Sequence, residues 1–528
     1  MPLLHYRLLL FALAAMVAAG MGLDLMEVDA AQYAAMAREM VERKDYLHLY
    51  HRGQDYLDKP PLLFWLSALS YQMFGVSNWS YKLPSVLAAA WGLYALYRFV
   101  RLHRGEERAH WAVVVFGCST AFLLMTNDVR TDTLLTAAVI TAVWTGSVYL
   151  EERRWWSLIA FGVALSAGLL AKGPIGAMAP MLALGGDVAL RGRWGKLWDA
   201  RLLLVPVLVL LLLLPMFIGL HEQHGWHGVR FFLWEQSFGR ITGENRWKDD
   251  STPFFFLHEL PWLMLPWTLF LVTGLWRSFR GLGNAVERIA EERISLSGAV
   301  LVFVALSFSQ FKLPHYIYVT LPWFAVLTTK GIKDPPLWLV RAHGAILVFL
   351  AAGVGFAVLY CFPSNMGMVA PIALVIACGY AIRSTCLGRG SWVAATGALF
   401  IACALTINVW IYPAVLQFQA NAFAGRWAAE HGVPEDRFFG LQVAGTALDL
   451  YAGHPVRWLS NLEEARAVIA PGVVIYTDAA HAQALREAGF VPKDSLVLQD
   501  HRVQLLSPEF LLPSTRSKVL GSRLILVY

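Results

Sequence analysis

Long runs of apolar residues, separated by short charged segments, dominate the first 415 positions of the chain. A run of roughly 20 apolar residues lets a helix cross about 30 Å of hydrocarbon. The pattern therefore predicts a polytopic α-helical membrane protein with about 13 spans. We place these spans near residues 4–23, 83–100, 111–126, 133–150, 156–171, 174–190, 202–220, 257–275, 294–310, 314–329, 338–361, 367–382 and 391–412.

Two of the loops between these runs are long, and their polar pattern differs from that of the spans. In loop 24–82, residues 30–43 place apolar side chains on one helical face and charges on the other, and residues 61–73 are apolar but too short to span. Both patterns predict helices lying in the membrane interface. The second long loop covers residues 221–256.

The pattern changes to that of a soluble protein near residue 416. Residues 471–476 and 523–528 predict strands, and residues 462–469 and 479–488 predict helices. We therefore divide the chain into a transmembrane domain, residues 1–415, and a small soluble α/β domain, residues 416–528.

Composition agrees with the membrane assignment: 57% of the residues are hydrophobic, only 15% are charged, and the net charge is +6. The basic residues concentrate in every second loop, which is the pattern of cytoplasmic loops and not of a nucleic-acid surface. The positive-inside rule then places loops 24–82 and 221–256 and the C-terminal domain on the outer side of the membrane.

The outer loops collect the side chains that can carry chemistry. Carboxylates facing several cations match a transfer in which a phosphate leaves, because cations stabilise the departing charge and a carboxylate accepts the acceptor's proton. The residues concerned are Asp29, Asp58, Lys59, Asp128, Arg130, Asp132, Lys172, Glu235, Arg240, Lys312, His315 and Tyr316.

Each of these residues also has a purely structural interpretation. Asp29 and Asp132 stand where helix-capping residues stand, and Lys172-Gly-Pro can simply turn the chain. Lys59, Arg240 and Lys312 can anchor helices to headgroups. Loop histidines His221, His224 and His227 are only a weak metal signal.

Several motifs, in this order, resemble the bacterial membrane glycosyltransferases of the GT-C fold, of the ArnT and protein-mannosyltransferase type. They are Asp29-x-x-x-Tyr33, LDKPPLLFWLSALSYQMFGVSNWSYKLPS, VRTDTLL, AKGPIGAMAP, FFLWEQSFGRITG, LPWLMLPW and FKLPHYIYVTLPW. The resemblance covers residues 4–330 and extends to the soluble C-terminal domain.

The resemblance implies inverting transfer of a sugar from a polyprenyl-phosphate donor, such as undecaprenyl phosphate, to a lipid, glycan or protein acceptor outside the membrane. By position it implies that Asp29 and Asp132 are catalytic and that Lys59, Arg240 and Tyr316 bind the donor phosphate. Supporting roles would fall to Asp58, Gln32, Tyr33, Glu235 and Lys312. The resemblance identifies no certain cofactor and leaves a divalent cation open.

The chain departs from the aminoarabinose transferases at three of these positions. Gln32 replaces an arginine, Asp58 replaces a glutamate, and Glu235-Gln236 replaces a Glu-His pair. The reaction class is therefore more strongly implied than the sugar. A transporter or flippase for lipid-linked sugars is the alternative, but it would need ionisable residues at mid-membrane, whereas these charges lie at one rim.

Overall fold

A computed structural model describes residues 1–236, 239, 250–280, 290–363, 369–386 and 392–528 of the chain. Its N-terminal part is helical except for one small hairpin. The α-helices are α1 (Leu3–Met21), α2 (Asp29–Arg43), α3 (Leu62–Phe74), α4 (Asn78–Arg104), α5 (Glu106–Gly117), α6 (Thr120–Asn127), α7 (Thr131–Glu152), α8 (Trp155–Lys172), α9 (Ile175–Leu190) and α10 (Leu204–Arg230).

Shorter and broken helices follow. They are α11 (Phe255–Leu263), α12 (Thr268–Arg280), α13 (Ala290–Ser297), α14 (Phe303–Ser307), α15 (Leu321–Ile332), α16 (Leu337–Phe356), α17 (Val369–Cys386), α18 (Trp392–Thr406) and α19 (Tyr412–Leu416). Wider or tighter helical turns continue or connect several of them, at Trp194–Leu197, Ala200–Leu203, Phe231–Glu235, Gly298–Val302, Pro314–Thr320, Ala357–Cys361 and Ile407–Ile411.

The protein is a multi-pass membrane protein, because seven helical segments of its described part are long and apolar enough to cross a membrane. An eighth is formed if α5 and α6, which meet at 58°, count as one broken span. The other predicted runs fall on shorter or interrupted helices. The seven segments are Leu3–Met21, Asn78–Arg104, Thr131–Glu152, Trp155–Lys172, Ala200–Glu235, Leu337–Cys361 and Trp392–Leu416.

Helix α7 lies at the centre of the bundle, since 94% of its most apolar 18-residue window is buried. It packs against α4, α8 and α9. Its first residues follow directly on Asp128, Val129 and Arg130, so the charged VRTD segment sits at one end of the buried centre. The side chains of this segment therefore contact the start of α2 and the end of α8.

Loop 24–82 contains both predicted interfacial helices, α2 and α3. Between them lies a hairpin of strands β1 (Tyr50–His51) and β2 (Gln54–Asp55), which the sequence did not predict. Helix α2 is amphipathic: Tyr33, Met36 and Met40 are buried, and Glu42 is exposed. Arg38, which the pattern predicts on the charged face, is buried instead. Burial of the face that carries Tyr33 fixes how α2 is rotated, and therefore where its first residue, Asp29, is presented.

The C-terminal region forms the predicted α/β domain. Its five-stranded sheet has the order β4-β3-β5-β7-β6; β3 pairs in parallel with β4 and β5, and β7 is antiparallel to β5 and β6. The strands are β3 (Phe438–Leu441), β4 (Arg457–Leu459), β5 (Val474–Asp478), β6 (Asp494–Asp500) and β7 (Gly521–Val527), and the helices are α20 (Ala420–Glu430), α21 (Thr446–Ala452), α22 (Leu462–Val468), α23 (Ala479–Glu487), α24 (Pro508–Leu511) and α25 (Pro513–Arg516), with a short turn at Glu435–Arg437.

Candidate active site

Asp29 is the first residue of α2, and its carboxylate points at a cation and not at the helix end. Val28 occupies the N-cap position, and no side chain there accepts a capping hydrogen bond. The Asp29 Oδ2 atom instead accepts a hydrogen bond from the Arg130 Nη1 atom at 2.5 Å. The capping interpretation of Asp29 is therefore wrong, although its place in the first turn still favours a negative charge.

Arg130 joins Asp29 to a second carboxylate. Its Nε atom donates to the Asp128 Oδ2 atom at 2.9 Å, so one guanidinium bridges residues on two different elements. Burial lowers the pKa of Arg130, but Asp128 and Asp29 together raise it above its ordinary value. The guanidinium thus stays charged and fixes where the Asp29 carboxylate lies.

Asp132 forms a second ion pair in the first turn of α7. The residue is only 1% exposed, and its Oδ1 atom accepts a hydrogen bond from the Lys172 Nζ atom at 2.5 Å. The His315 Nε2 atom lies 3.9 Å from its other oxygen. The Lys172 ammonium also lies 4.2 Å from the ring centroid of Tyr316. Helices α7 and α8 and the KLPHY segment therefore meet at this point.

The structure distinguishes the two interpretations of Lys172, as part of a chain turn or as a charged residue of the site. Lys172 ends α8, Gly173 has a positive φ of 78°, and Pro174 precedes α9. Gly173 and Pro174 therefore make the turn, and the Lys172 side chain is left to pair with Asp132. The capping interpretation of Asp132 fails likewise, because Arg130 is the N-cap residue of α7 and no side-chain capping bond is formed there.

Lys59 and Asp58 form the third charged group at this rim. Lys59 Nζ donates to the Asp58 carboxylate, and Gln236 Nε2 donates to the Asp58 main-chain oxygen. Gln236 thus ties the second outer loop to the turn that carries Lys59. A narrow cleft beside Lys59 is lined largely by apolar side chains, including Met216, Leu220 and Phe232.

Tyr33 lies behind these charges and is almost wholly buried. Its ring contacts the Phe64 ring edge-on, with centroids 5.6 Å apart. Burial, followed by the charges of Tyr56, Asp29 and Asp58, raises the pKa of Tyr33 well above its ordinary value. The Tyr33 hydroxyl therefore stays protonated.

The remaining predicted supporting residues pair with groups other than the Asp29 and Arg130 side chains. Gln32 Nε2 lies 3.4 Å from His51 Nδ1 of the hairpin. Glu235 pairs with Arg230 at 3.3 Å. Lys312 is 5% exposed and donates to the Ser251 main-chain and side-chain oxygens, both at 3.1 Å.

Two further predicted features concern the second outer loop. Arg240, predicted to bind phosphate, lies outside the described residues. Over the part of the chain that the structure describes, no group of three or more His, Cys, Asp or Glu side chains is arranged to hold a metal ion. The three loop histidines form no such group there.

The sequence assigns no role to the outer charges Arg130, Lys172 and His315. In the structure these three side chains contact the carboxylates of Asp29 and Asp132. A detectable signal was present for two of them. Arg130 stands between two aspartates in DVRTD, and Lys172 ends an apolar helix immediately before Gly-Pro. The sequence does not show which carboxylate each cation binds, because Arg130 pairs with Asp29 across 101 positions and Lys172 pairs with Asp132 across 40.

Comparisons with known proteins bear on the family and the fold of this chain. A family model described as dolichyl-phosphate-mannose-protein mannosyltransferase matches residues 58–218. Curated relatives include the undecaprenyl phosphate-alpha-4-amino-4-deoxy-L-arabinose arabinosyl transferases of Edwardsiella ictaluri (27% identical) and Aeromonas hydrophila (29% identical). Each match covers 57% of this chain and 54% of the relative, so the chain matches about half the length of these relatives.

The fold is also that of a solved structure. ArnT from Cupriavidus metallidurans bound to undecaprenyl phosphate superposes with a TM-score of 0.75, at 18% identity, over 98% of this chain and 97% of that one. The same protein in the apo state gives a TM-score of 0.69 at the same identity and coverage. The predicted resemblance and the predicted GT-C fold, including the C-terminal α/β region, are confirmed.

Proposed function

We propose that this protein is a membrane glycosyltransferase that moves a sugar from a polyprenyl-phosphate donor to an acceptor at the periplasmic face of the bacterial inner membrane. The observation that carries the proposal is the Asp29 carboxylate, held by Arg130 at the rim where Lys59 and Lys172 also lie. Undecaprenyl phosphate is the proposed donor lipid because the curated relatives are named for it and the similar ArnT structure holds it.

In the proposed reaction, an acceptor oxygen attacks the anomeric carbon from the face opposite the phosphate. The new carbon–oxygen bond forms as the bond to the phosphate oxygen breaks, so the configuration inverts and polyprenyl phosphate leaves. Lys59 stabilises the departing phosphate charge, with Arg240 proposed as a second cation. Asp29 accepts the proton of a hydroxyl acceptor, which is the role that requires a carboxylate.

Asp132 and Tyr316 have indirect roles in this proposal. Asp132 is buried and paired with Lys172, so it acts by fixing the ammonium and not by touching the sugar. Tyr316 offers its ring face to the same ammonium. Lys172, held from both sides, is a further cation available to the donor phosphate.

The cleft beside Lys59 places a cation next to an apolar lining that includes Met216, Leu220 and Phe232. Its volume of about 20 Å³ is far too small to enclose a polyprenyl chain. The cleft therefore supports a meeting of the donor phosphate with Lys59 beside apolar side chains, and not burial of the lipid tail.

A transporter for the same lipid fits less well. The buried Lys82 ammonium donates to the main-chain oxygens of Gly20 and Leu23, at 2.9 and 3.0 Å, and so closes the end of α1. Asp187, near the end of α9, binds Arg293 at 2.5 Å. Both groups have structural partners near helix ends, unlike an ion pathway at mid-membrane.

The test uses the full chain reconstituted in vesicles with a panel of radiolabelled undecaprenyl-phosphate-linked sugars and an envelope lipid and glycan extract as acceptor. Asp29→Asn should lower the transfer rate by about 10²–10⁴-fold, the usual contribution of a proton-accepting group. Asp55→Asn is the matched control, because Asp55 is an exposed carboxylate of the same loop whose partner is Gln223. Full transfer by Asp29→Asn would refute the catalytic assignment.

The donor-phosphate assignment has its own test. Lys59→Ala should weaken competition by undecaprenyl phosphate, while Lys518→Ala, at an exposed position of the C-terminal domain, should leave it unchanged. Competition unchanged by Lys59→Ala would remove Lys59 from the phosphate site.

A further inference from the structure

The segment that leads from α1 to Asp29 is held along its length by the C-terminal domain. Gln419 Nε2 donates to the Leu25 main-chain oxygen at 2.9 Å, and the Glu27 main-chain nitrogen donates to Gln419 Oε1 at 3.0 Å. Thr446 Oγ1 donates to the Val28 oxygen at 3.2 Å. The main chain is therefore fixed up to the residue before Asp29 by side chains about 400 positions away.

The Glu27 side chain also bonds to the C-terminal domain. Its carboxylate accepts hydrogen bonds from the Ala447 main-chain nitrogen at 2.8 Å and from Asn421 Nδ2 at 3.0 Å. Asn421 Oδ1 in turn accepts a hydrogen bond from the hydroxyl of Tyr476, on the central strand β5, at 2.9 Å. A continuous chain of bonds thus connects the domain core to a residue two positions before Asp29.

A glycine leaves the space that this carboxylate occupies. A Cβ atom at Gly445 would lie 2.3 Å from Glu27 Oε1 and 2.0 Å from Asn421 Nδ2, which is closer than real contacts allow. The φ of Gly445 is −177°, extended backbone that any residue adopts. The glycine is therefore needed for room and not for its conformation, and that room is filled by Glu27.

A second group of contacts holds α2 farther along. The buried Arg38 donates from Nη1 to the main-chain oxygens of Asp449 and Leu450, at 3.2 and 2.9 Å. The Asp449 carboxylate binds Arg52 and accepts a hydrogen bond from the Val456 main-chain nitrogen at 2.8 Å. Helix α2 is thus attached to the C-terminal domain both before its first residue and in its middle.

We propose that Glu27 is a positioning residue for Asp29, and that the C-terminal domain is consequently part of the catalytic apparatus. This inference rests on the proposed function. Two main-chain steps separate Glu27 from Asp29, so displacement of the Glu27 carboxylate rotates or shifts the start of α2 relative to Arg130. A displacement of about 1 Å at a reacting group lowers a rate by about 100-fold.

The test compares Gly445→Ala, whose methyl group displaces both Asn421 and Glu27, with Gly521→Ala, in the same domain, where the nearest atom to the new methyl is 3.6 Å away. Hydrogen–deuterium exchange of residues 25–33 and of strand β7, together with kcat and KM for the lipid-linked sugar, are measured on the full chain. Glu27→Gln, which adds no bulk, serves if Gly445→Ala loses protection throughout the sheet.

The expected result is at least about 10-fold faster exchange in residues 25–33 and at least about 10-fold lower kcat, with donor KM and sheet exchange unchanged. The exchanged pair Glu27→Gln/Asn421→Asp restores an amide–carboxylate bond of the opposite sense, and should recover most of the kcat that Glu27→Gln loses. A merely structural attachment would show neither the kcat-specific loss nor this recovery.

The inference is overturned if Gly445→Ala and Glu27→Gln match Gly521→Ala in both exchange and kcat, or if only KM changes. If the unsubstituted protein transfers none of the sugars, the proposed function fails. The exchange comparison then decides the positioning of α2 by itself: faster exchange in residues 25–33 supports it, and unchanged exchange refutes it.

Discussion

Replacing Lys172 by methionine should destabilise the protein more than replacing its partner Asp132 by asparagine. The Asp132 side chain is 2% exposed and the Lys172 side chain 15%. Lys172→Met removes the ammonium, and among the residues that the structure describes it leaves the more deeply buried carboxylate with the ring nitrogen of His315 as its ionisable neighbour, 3.9 Å away. Breaking a buried pair from one side costs about 3–5 kcal/mol, and we expect Lys172→Met to fall in that range.

Asp132→Asn should cost less, about 1–3 kcal/mol, because the remaining ammonium keeps the Tyr316 ring and some contact with water. The double variant leaves no buried charge, so it should be at least about 1 kcal/mol more stable than Lys172→Met alone. The sign of that coupling follows from which charge is left buried.

The assay is reversible unfolding of the purified full chain in mixed micelles by sodium dodecyl sulfate, followed by tryptophan fluorescence. Lys518→Met is the matched control, since Lys518 is exposed and its substitution should change stability by no more than about 0.5 kcal/mol. An equal cost for the two single variants, or a double variant whose cost equals their sum, would refute the reasoning.

Three further predictions concern other contacts. Arg130→Lys should lower kcat at least about 10-fold, since one ammonium cannot reproduce the guanidinium bridge to Asp29; kinetics equal to those of the unsubstituted protein would count against it. Gly331→Ala should destabilise the fold by about 1–3 kcal/mol, because its methyl would lie 2.1 Å from a main-chain oxygen of α12. Gly353→Ala, where the new methyl meets open space, should leave the stability unchanged, and equal unfolding midpoints for the two variants would contradict this. Burial raises the pKa of Glu27 in the folded protein. The free energy of unfolding that Glu27 adds relative to Glu27→Gln should therefore be full below about pH 4.3 and should be lost as the pH rises through the folded-state pKa. Thermal unfolding measures this difference, and a difference that grows with pH would contradict the prediction.

The local features of this protein follow from short stretches of its sequence. Apolar runs of spanning length predicted the helices, and the period of residues 30–43 predicted the amphipathic helix α2. Basic loops alternating with outer ones predicted that Asp29, Lys59 and Asp132 share one rim. These inferences succeed because span length, helical period and charge distribution depend on neighbouring residues.

The pairing of the charged side chains depends on the tertiary structure. Arg130 binds Asp29 across 101 positions, and Glu27 reaches the nitrogen of Ala447 across 420. Such pairs depend on how the helix ends and the C-terminal domain pack together, and each cation in the sequence had several carboxylates to choose from. Burial of the central helix α7 and of one face of α2 selects one arrangement, because it fixes where each charged helix end lies.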